Sequence, residues 1–331
     1  MPIRRRHLGA ALATAAAALG SRPGLAQSRW PDRPIRLIVP FAPGGGSDIG
    51  GRIAAQALGL HLAPPGEAAR VSVVVENRPG AGGTIGTEAV VRSPPDGHSL
   101  ALLTNSSAVM NVFLYKHLSF DIRRDLVAVA EVGRSRCMVA VRPGLAGNLD
   151  ELRAAARRSS LTYGSGGNGT APHLAGVLLA QALGAEMTHV PFRGSGPALT
   201  AVVSGQVDVM VESVTVLLGM AQANQIRPIL VADRERDPLL PAVPTAAELG
   251  LPGYEIENWS GLFAPARTPF PIVQALSDAL AKGFADPEIA QRLRDLGQRK
   301  VTATPAAFDA FWKGELTRWG PVVAASGATL D

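Results

Sequence analysis

Short apolar, β-branched runs alternate with amphipathic stretches along almost the whole chain, and this rhythm constrains the fold more than any other feature. "IRLIVPF", "VSVVVEN", "SLALLTNSS", "CMVAVRP", "LTYGSG", "MTHVPF", "VDVMVES" and "IRPILVAD" read as strands. "DELRAAARRSS", "APHLAGVLLAQALGA" and "GPALTAVVSGQ" read as helices between them. Strands separated by helices need crossover connections, so the pattern predicts an α/β protein with parallel sheets. The tail is helical: "PFPIVQALSDALAKGFAD", "PEIAQRLRDLG" and "TPAAFDAFWKGELTRWGPVVAASG" each begin near a proline and carry a periodic apolar face. The 331 residues leave room for about two domains.

The first strand enters its helix through a glycine loop, Ala42, Pro43, Gly44, Gly45, Gly46, Ser47 and Asp48, after which Ile49, Ile53, Ala54, Ala57 and Leu58 share one helical face. Unpaired N–H groups and the helix dipole favour an anion at such a junction, and glycine lets the backbone approach it closely. On the plainer reading Ser47 or Asp48 caps the helix and the glycines only make the turn. "LTYGSGGNGTAPHLAGVLLAQAL" (161–183) repeats the same grammar about 120 residues later, a spacing suited to one loop per lobe. In open α/β sheets ligands bind beyond the carboxyl ends of the strands, where both loops lie. A helix N-terminus contributes only about 0.3–1 kcal/mol and a hydrogen bond to a charged group about 1.5–3. Micromolar affinity needs about 8 kcal/mol net of association entropy, so two facing loops suffice where one falls short.

The chain opens with Arg4, Arg5 and Arg6, an apolar stretch from Leu8 to Leu19, and "GLAQ". This predicts a signal peptide over residues 1–26, cut after Ala26, with the Sec and Tat routes both open. The apolar stretch is too short to span a bilayer. Cleavage removes four arginines and no acid, leaving 28 basic against 27 acidic residues, or +1. Such a chain has no electrostatic footprint for nucleic acid. Cys137 is the single cysteine, so no internal disulfide is possible, and its apolar surroundings predict a buried structural thiol.

Gly164, Gly166 and Gly169 formally match a dinucleotide fingerprint, but the acid required after the next strand is missing: Glu186 precedes "MTHVPF" and Arg193 follows it. No phosphate loop, nucleophile elbow or metal-spaced histidine motif is present. Ser165 and His173 are the only nucleophile and base worth pairing, and His173 reads better as a site-lining or packing hydrogen-bonder, since no third orienting group is evident. Asp208 reads as structural, whereas Glu212 lies nearer its strand's carboxyl end and faces a cleft. No catalytic residue, metal or cofactor is expected. The competing reading is a secreted hydrolase or oxidoreductase acting on a small carboxylate-containing substrate.

The segments "WPDRPIRLIVPFAPGGGSD", "VVVENRPGAGGTIGTEAV", "PPDGHSLAL", "LTYGSGGNGTAPHLAGVLL", "THVPFRGSGPAL", "GQVDVM", "PAVPTAAELGLPGYE", "WSGLFAPARTP" and "RWGPVVAASGATLD" together cover essentially all of the chain after the signal. In these the chain resembles the substrate-binding proteins of tripartite tricarboxylate transporters, the Bug receptors. The resemblance implies a two-lobed periplasmic-binding-protein fold of type II-like form, each lobe a mostly parallel sheet flanked by helices, with the ligand in the inter-lobe cleft. The lobes are expected at residues 28–134 plus 256–331 and at 135–255. It further implies a periplasmic monomer that binds a di- or tricarboxylate, amino acid or aromatic acid and works with transporter membrane components or a sensor. The ligand's carboxylate would be held by Ala42 to Asp48 and by the second loop, with Tyr163, Ser165, Gly169, Thr170 and His173. Thr104, Asn105, Ser106 and Ser107 of "TNSS" and Phe192 and Arg193 of "PFRGSG" would complete the pocket. Where many relatives carry an aromatic residue followed by Asp-Asn, this chain has Val211, Glu212 and Ser213, which bears on specificity.

Overall fold

The computed structural model describes residues 30–62, 71–251, 253–299, 304–326 and 328–330; the expected signal segment lies outside them. The elements run β1 (Ile35–Val39), α1 (Gly46–His61), β2 (Val73–Asn77), α2 (Thr84–Val91), β3 (Ser99–Thr104), α3 (Asn111–Leu114), α4 (Ile122–Asp125) and β4 (Leu126–Val141). They continue with α5 (Leu149–Arg158), β5 (Leu161–Ser165), α6 (Ala171–Leu183), β6 (Met187–Pro191), α7 (Ser195–Val203), β7 (Val209–Ser213), α8 (Val214–Gln222) and β8 (Arg227–Val231). Last come β9 (Glu257–Pro265), α9 (Phe270–Ala285), α10 (Pro287–Asp295) and α11 (Pro305–Ser326). A π-helical turn, Ser106–Met110, leads from β3 into α3.

Two sheets share one strand. In the first, β1 lies parallel between β2 and β3, and β9 runs antiparallel to β3 and to β4. In the second, β5 lies parallel between β6 and β7, while β7 and β8 run antiparallel to β4. Strand β4 pairs with β9 from Leu126 to Arg136 and with β7 from Cys137 to Val141, so its 16 residues pass from one sheet into the other. At the changeover the Cys137 N–H donates to Ile256 O at 3.1 Å. The parallel pairs expected from the helix-strand alternation are present, but each sheet as a whole is mixed. The reason is that β4, which passes from one sheet to the other, lies antiparallel to β9 in the first and to β7 and β8 in the second.

All of β4 except Val127 and Arg134 is buried, as befits a strand covered on both faces. Around it, Trp259 and Phe263 of β9 pack edge-on against Phe308, Phe311 and Trp312 of α11. A Cβ at Gly261 would run into the Phe308 ring, so this glycine lets α11 approach β9. The indole of Trp312 donates to Ala108 O at 2.8 Å, and those of Trp259 and Trp319 both donate to Glu315 Oε2 at 3.0 Å. Cys137 is buried, and its thiol is pushed well up by burial and by the carboxylate of Glu212. Among the described residues no helix is long and apolar enough to cross a membrane.

Candidate functional site

Parallel pairing within each sheet brings the carboxyl ends of β1 and β3, and of β5, β6 and β7, to one cavity. It contains about 690 Å³ of empty space, part of it open to solvent. Four helices begin in its wall: α1 at Gly46 and Ser47, α6 behind Thr170, α7 at Ser195, and α8 behind Ser213. The positive ends of four helix dipoles are thereby brought to the cavity; at α6 the Ala171 and His173 N–H groups are already taken by Ser106 and Thr170, and at α8 the Thr215 N–H by Ser135.

At α1 neither Ser47 nor Asp48 serves as the cap. Gly45 holds the N-cap position with no side-chain bond. Asp48 turns back into its own sheet, accepting from the Gly44 N–H and the Asn77 amide, each at 3.0 Å, and pairing with Arg52. Burial alone would raise its pKa, but the bonds from Arg52, Gly44 and Asn77 outweigh that and hold it below the usual value. Asp48 N–H closes the first turn on Gly45 O at 3.0 Å, and the side chain of Asp48 does not cap the Gly46 and Ser47 amides at the cavity. At α6, Thr170 caps the helix through His173 N, and the Ala171 N–H donates to Ser106 Oγ at 2.7 Å, a hydroxyl that arrives from the first sheet.

Ser165 and His173 do not form a nucleophile–base pair. Ser165 is fully buried, and its hydroxyl lies 2.7 Å from His189 Nε2. His173 stacks on His189 with ring centroids 4.1 Å apart, and Tyr163 stacks with His189 at 4.9 Å and with His173 at 6.5 Å. Burial and the neighbouring His173 push His189 down to about 4, and burial lowers His173 as well. These rings form a layer beneath the second loop and do not reach the cavity wall. Strand register carries the signal for His189: it lies opposite Tyr163 in the parallel β5–β6 pair.

Glu212 is in the wall, 3 % exposed. Its Oε2 accepts from Ser195 Oγ at 2.5 Å, and its Oε1 from Ser213 N at 2.7 Å and Asn258 Nδ2 at 2.8 Å. Burial raises its pKa against the lowering effect of these bonds. Arg134 also lines the cavity; it pairs with both oxygens of Glu131, approaches Glu257, and lies over the Phe311 ring at 3.9 Å.

Of the residues singled out from the sequence, Ala42, Gly45, Gly46, Ser47, Thr104, Asn105, Ser106, Thr170 and Glu212 line the cavity. Pro43 and Gly44 are exposed outside it, and Ser107 forms a local turn with Thr104. Gly169 presents its N–H to His173 Nδ1 at 3.4 Å behind the wall. Phe192 and Arg193 line a neighbouring groove with Tyr115 and Leu330. The sequence reading missed Arg134 and Ser135 of β4 and Asn258, Trp259 and Ser260 of β9, all of which line the cavity. Among the described residues no cluster of His, Cys, Asp and Glu has the makings of a metal site.

The family model described as "Tripartite tricarboxylate transporter family receptor" matches residues 66–328. The chain belongs to this receptor family. Solved structures bear out its two-lobed periplasmic-binding fold. Periplasmic binding protein BugD is 31% identical with a TM-score of 0.85, over 91% of this chain and 99% of BugD. MatC from Rhodopseudomonas palustris, with bound malate, is 32% identical with a TM-score of 0.83, over 89% and 100%. R. palustris Rpa4515, with adipate, is 30% identical with a TM-score of 0.85, over 91% and 100%. In this receptor the cavity draws its wall from both of the sheets joined by β4.

Proposed function

We propose that this chain is an exported, non-catalytic receptor that encloses one small carboxylate in the cavity and presents it to the membrane components of a tripartite transporter or to a sensor. The observation that carries this reading is the convergence of four helix N-termini on one cavity, because neutral donors and dipole ends suit a carboxylate without any basic side chain from the glycine loops. Malate in MatC and adipate in Rpa4515 support the ligand class by analogy. The burial of Ser165 beneath the loop argues against the hydrolase reading. The lobes comprise residues 28–134 plus 256–331 and residues 135–255, a division supported by the change of sheet within β4. Residues 1–26 supply the export signal, and the receptor acts in the periplasm as a monomer.

A thermal-shift screen of small carboxylic acids, each beside its own amide, tests the reading on protein beginning at Gln27. A bound ligand at 100 times its Kd adds about 2.7 kcal/mol of stability, so an acid that fits raises the Tm by several degrees while its amide does not. Equal shifts from acid and amide, or no shift from any acid, would contradict it.

A further inference from the structure

Glu212 puts a carboxylate into the wall of a cavity whose other features suit an anion. All three of its hydrogen-bond partners are neutral: the Ser195 hydroxyl, the Ser213 N–H and the Asn258 amide. Two obligate donors, the Ser213 N–H and the Asn258 amide, meet on Oε1, and the Ser195 hydroxyl lies on Oε2. A carboxylate accepts about four hydrogen bonds, and a hydroxyl such as that of Ser195 can rotate away from it, so Oε2 can take a stronger donor. Among the described residues Arg134 is the one cation in the cavity lining, and it is engaged elsewhere. Its guanidinium pairs with Glu131 and Glu257, and Arg299 joins Glu257. These two cations and two anions cancel, leaving the charge of Glu212 uncompensated. A buried carboxylate met only by neutral donors is costly, and a cation beside it offsets part of that cost.

The opposed requirements of one cavity, donors for an anion and an acceptor in need of a cation, are met together by a zwitterion. We propose that Glu212 is the specificity-determining residue of the site and that the ligand is a carboxylate that also carries a positively charged amine. This rests on the carboxylate-receptor reading above. The ligand's carboxylate lies at the first turn of α1, and its ammonium donates to Glu212 Oε2. A second carboxylate in place of the amine would face Glu212 as a like charge.

The test is calorimetric titration of matched acids that differ at one carbon by H, OH or NH3+: propionate, lactate and alanine; succinate, malate and aspartate; glutarate, 2-hydroxyglutarate and glutamate; 3-phenylpropionate, phenyllactate and phenylalanine. In the wild type the amine-bearing member of the set that binds is tighter than its hydroxy and unsubstituted counterparts by about tenfold or more, a difference of about 1.4 kcal/mol. In Glu212→Gln, which keeps an acceptor for Ser213 and Asn258, that ratio falls toward one. A wild-type preference for a hydroxy or unsubstituted acid overturns the proposal while leaving the receptor intact, whether or not the variant folds. So does an amine preference that survives Glu212→Gln. If no member of any set binds, the carboxylate reading falls, and this proposal with it.

Discussion

His189 and His173 lie face to face under the second glycine loop, and their chemistry predicts how the loop responds to acid. His189 is held at about 4, against 6.5 for a free histidine. Between these values the unfolded chain takes up a proton that the folded protein refuses, so stability is full above pH 6.5 and is lost as the pH falls toward 4. His189 is only partly buried, so solvent screening keeps the effect below the roughly 3 kcal/mol that the whole shift would carry. His189→Gln keeps a polar partner for the Ser165 hydroxyl and removes the titration. Urea unfolding at pH 7 and pH 4.5 is expected to show a smaller loss for the variant than for the wild type; equal losses would mean that other groups carry the acid sensitivity. His173 was legible in the sequence as a packing hydrogen-bonder because it follows the loop directly. His189 was not, since its role depends on strand register. The same holds for Asp48, whose position suggested a cap but whose partners, Asn77 and Arg52, are set by tertiary packing.

Helix α11 is fixed to β9 by a buried carboxylate shared between two indoles. Glu315→Leu fills similar volume but leaves the Trp259 and Trp319 N–H groups without their acceptor. At about 1–3 kcal/mol for each of the two orphaned donors, the variant is expected to lose about 2–6 kcal/mol, and Glu315→Gln, which retains a carbonyl oxygen, less. Denaturant midpoints decide between this and a surface role, for which both variants would match the wild type. The strand and helix alternation was read correctly wherever each element carries its own pattern, as in β1, β5, β7 and α6. The first half of β4 and all of β9 escaped notice because Glu131, Gly133, Arg134, Asn258, Ser260 and Gly261 interrupt their apolar runs. Those interruptions have structural causes. Glu131 and Arg134 neutralise each other, Gly261 makes room for Phe308, and Arg134, Asn258 and Ser260 line the cavity. The residues that hid the two long strands are therefore largely those that join them to the site.

The molecule as a whole carries little net charge once residues 1–26 are set aside, and its glycine loops contain no lysine or arginine. Long-range steering of an anion is accordingly weak, and recognition depends on short-range dipoles and hydroxyls inside the cavity, where salt screens poorly. Arg193 is exposed and lines the neighbouring groove, outside the cavity wall. The measurement that bears most directly on this account is calorimetric titration of the best-stabilising acid over a series of salt concentrations, with wild type and Arg193→Gln side by side. The account predicts an affinity nearly independent of ionic strength and the same in both proteins. A steep loss of affinity with salt that disappears in Arg193→Gln would contradict it, because an arginine and not the helix N-termini would then hold the carboxylate.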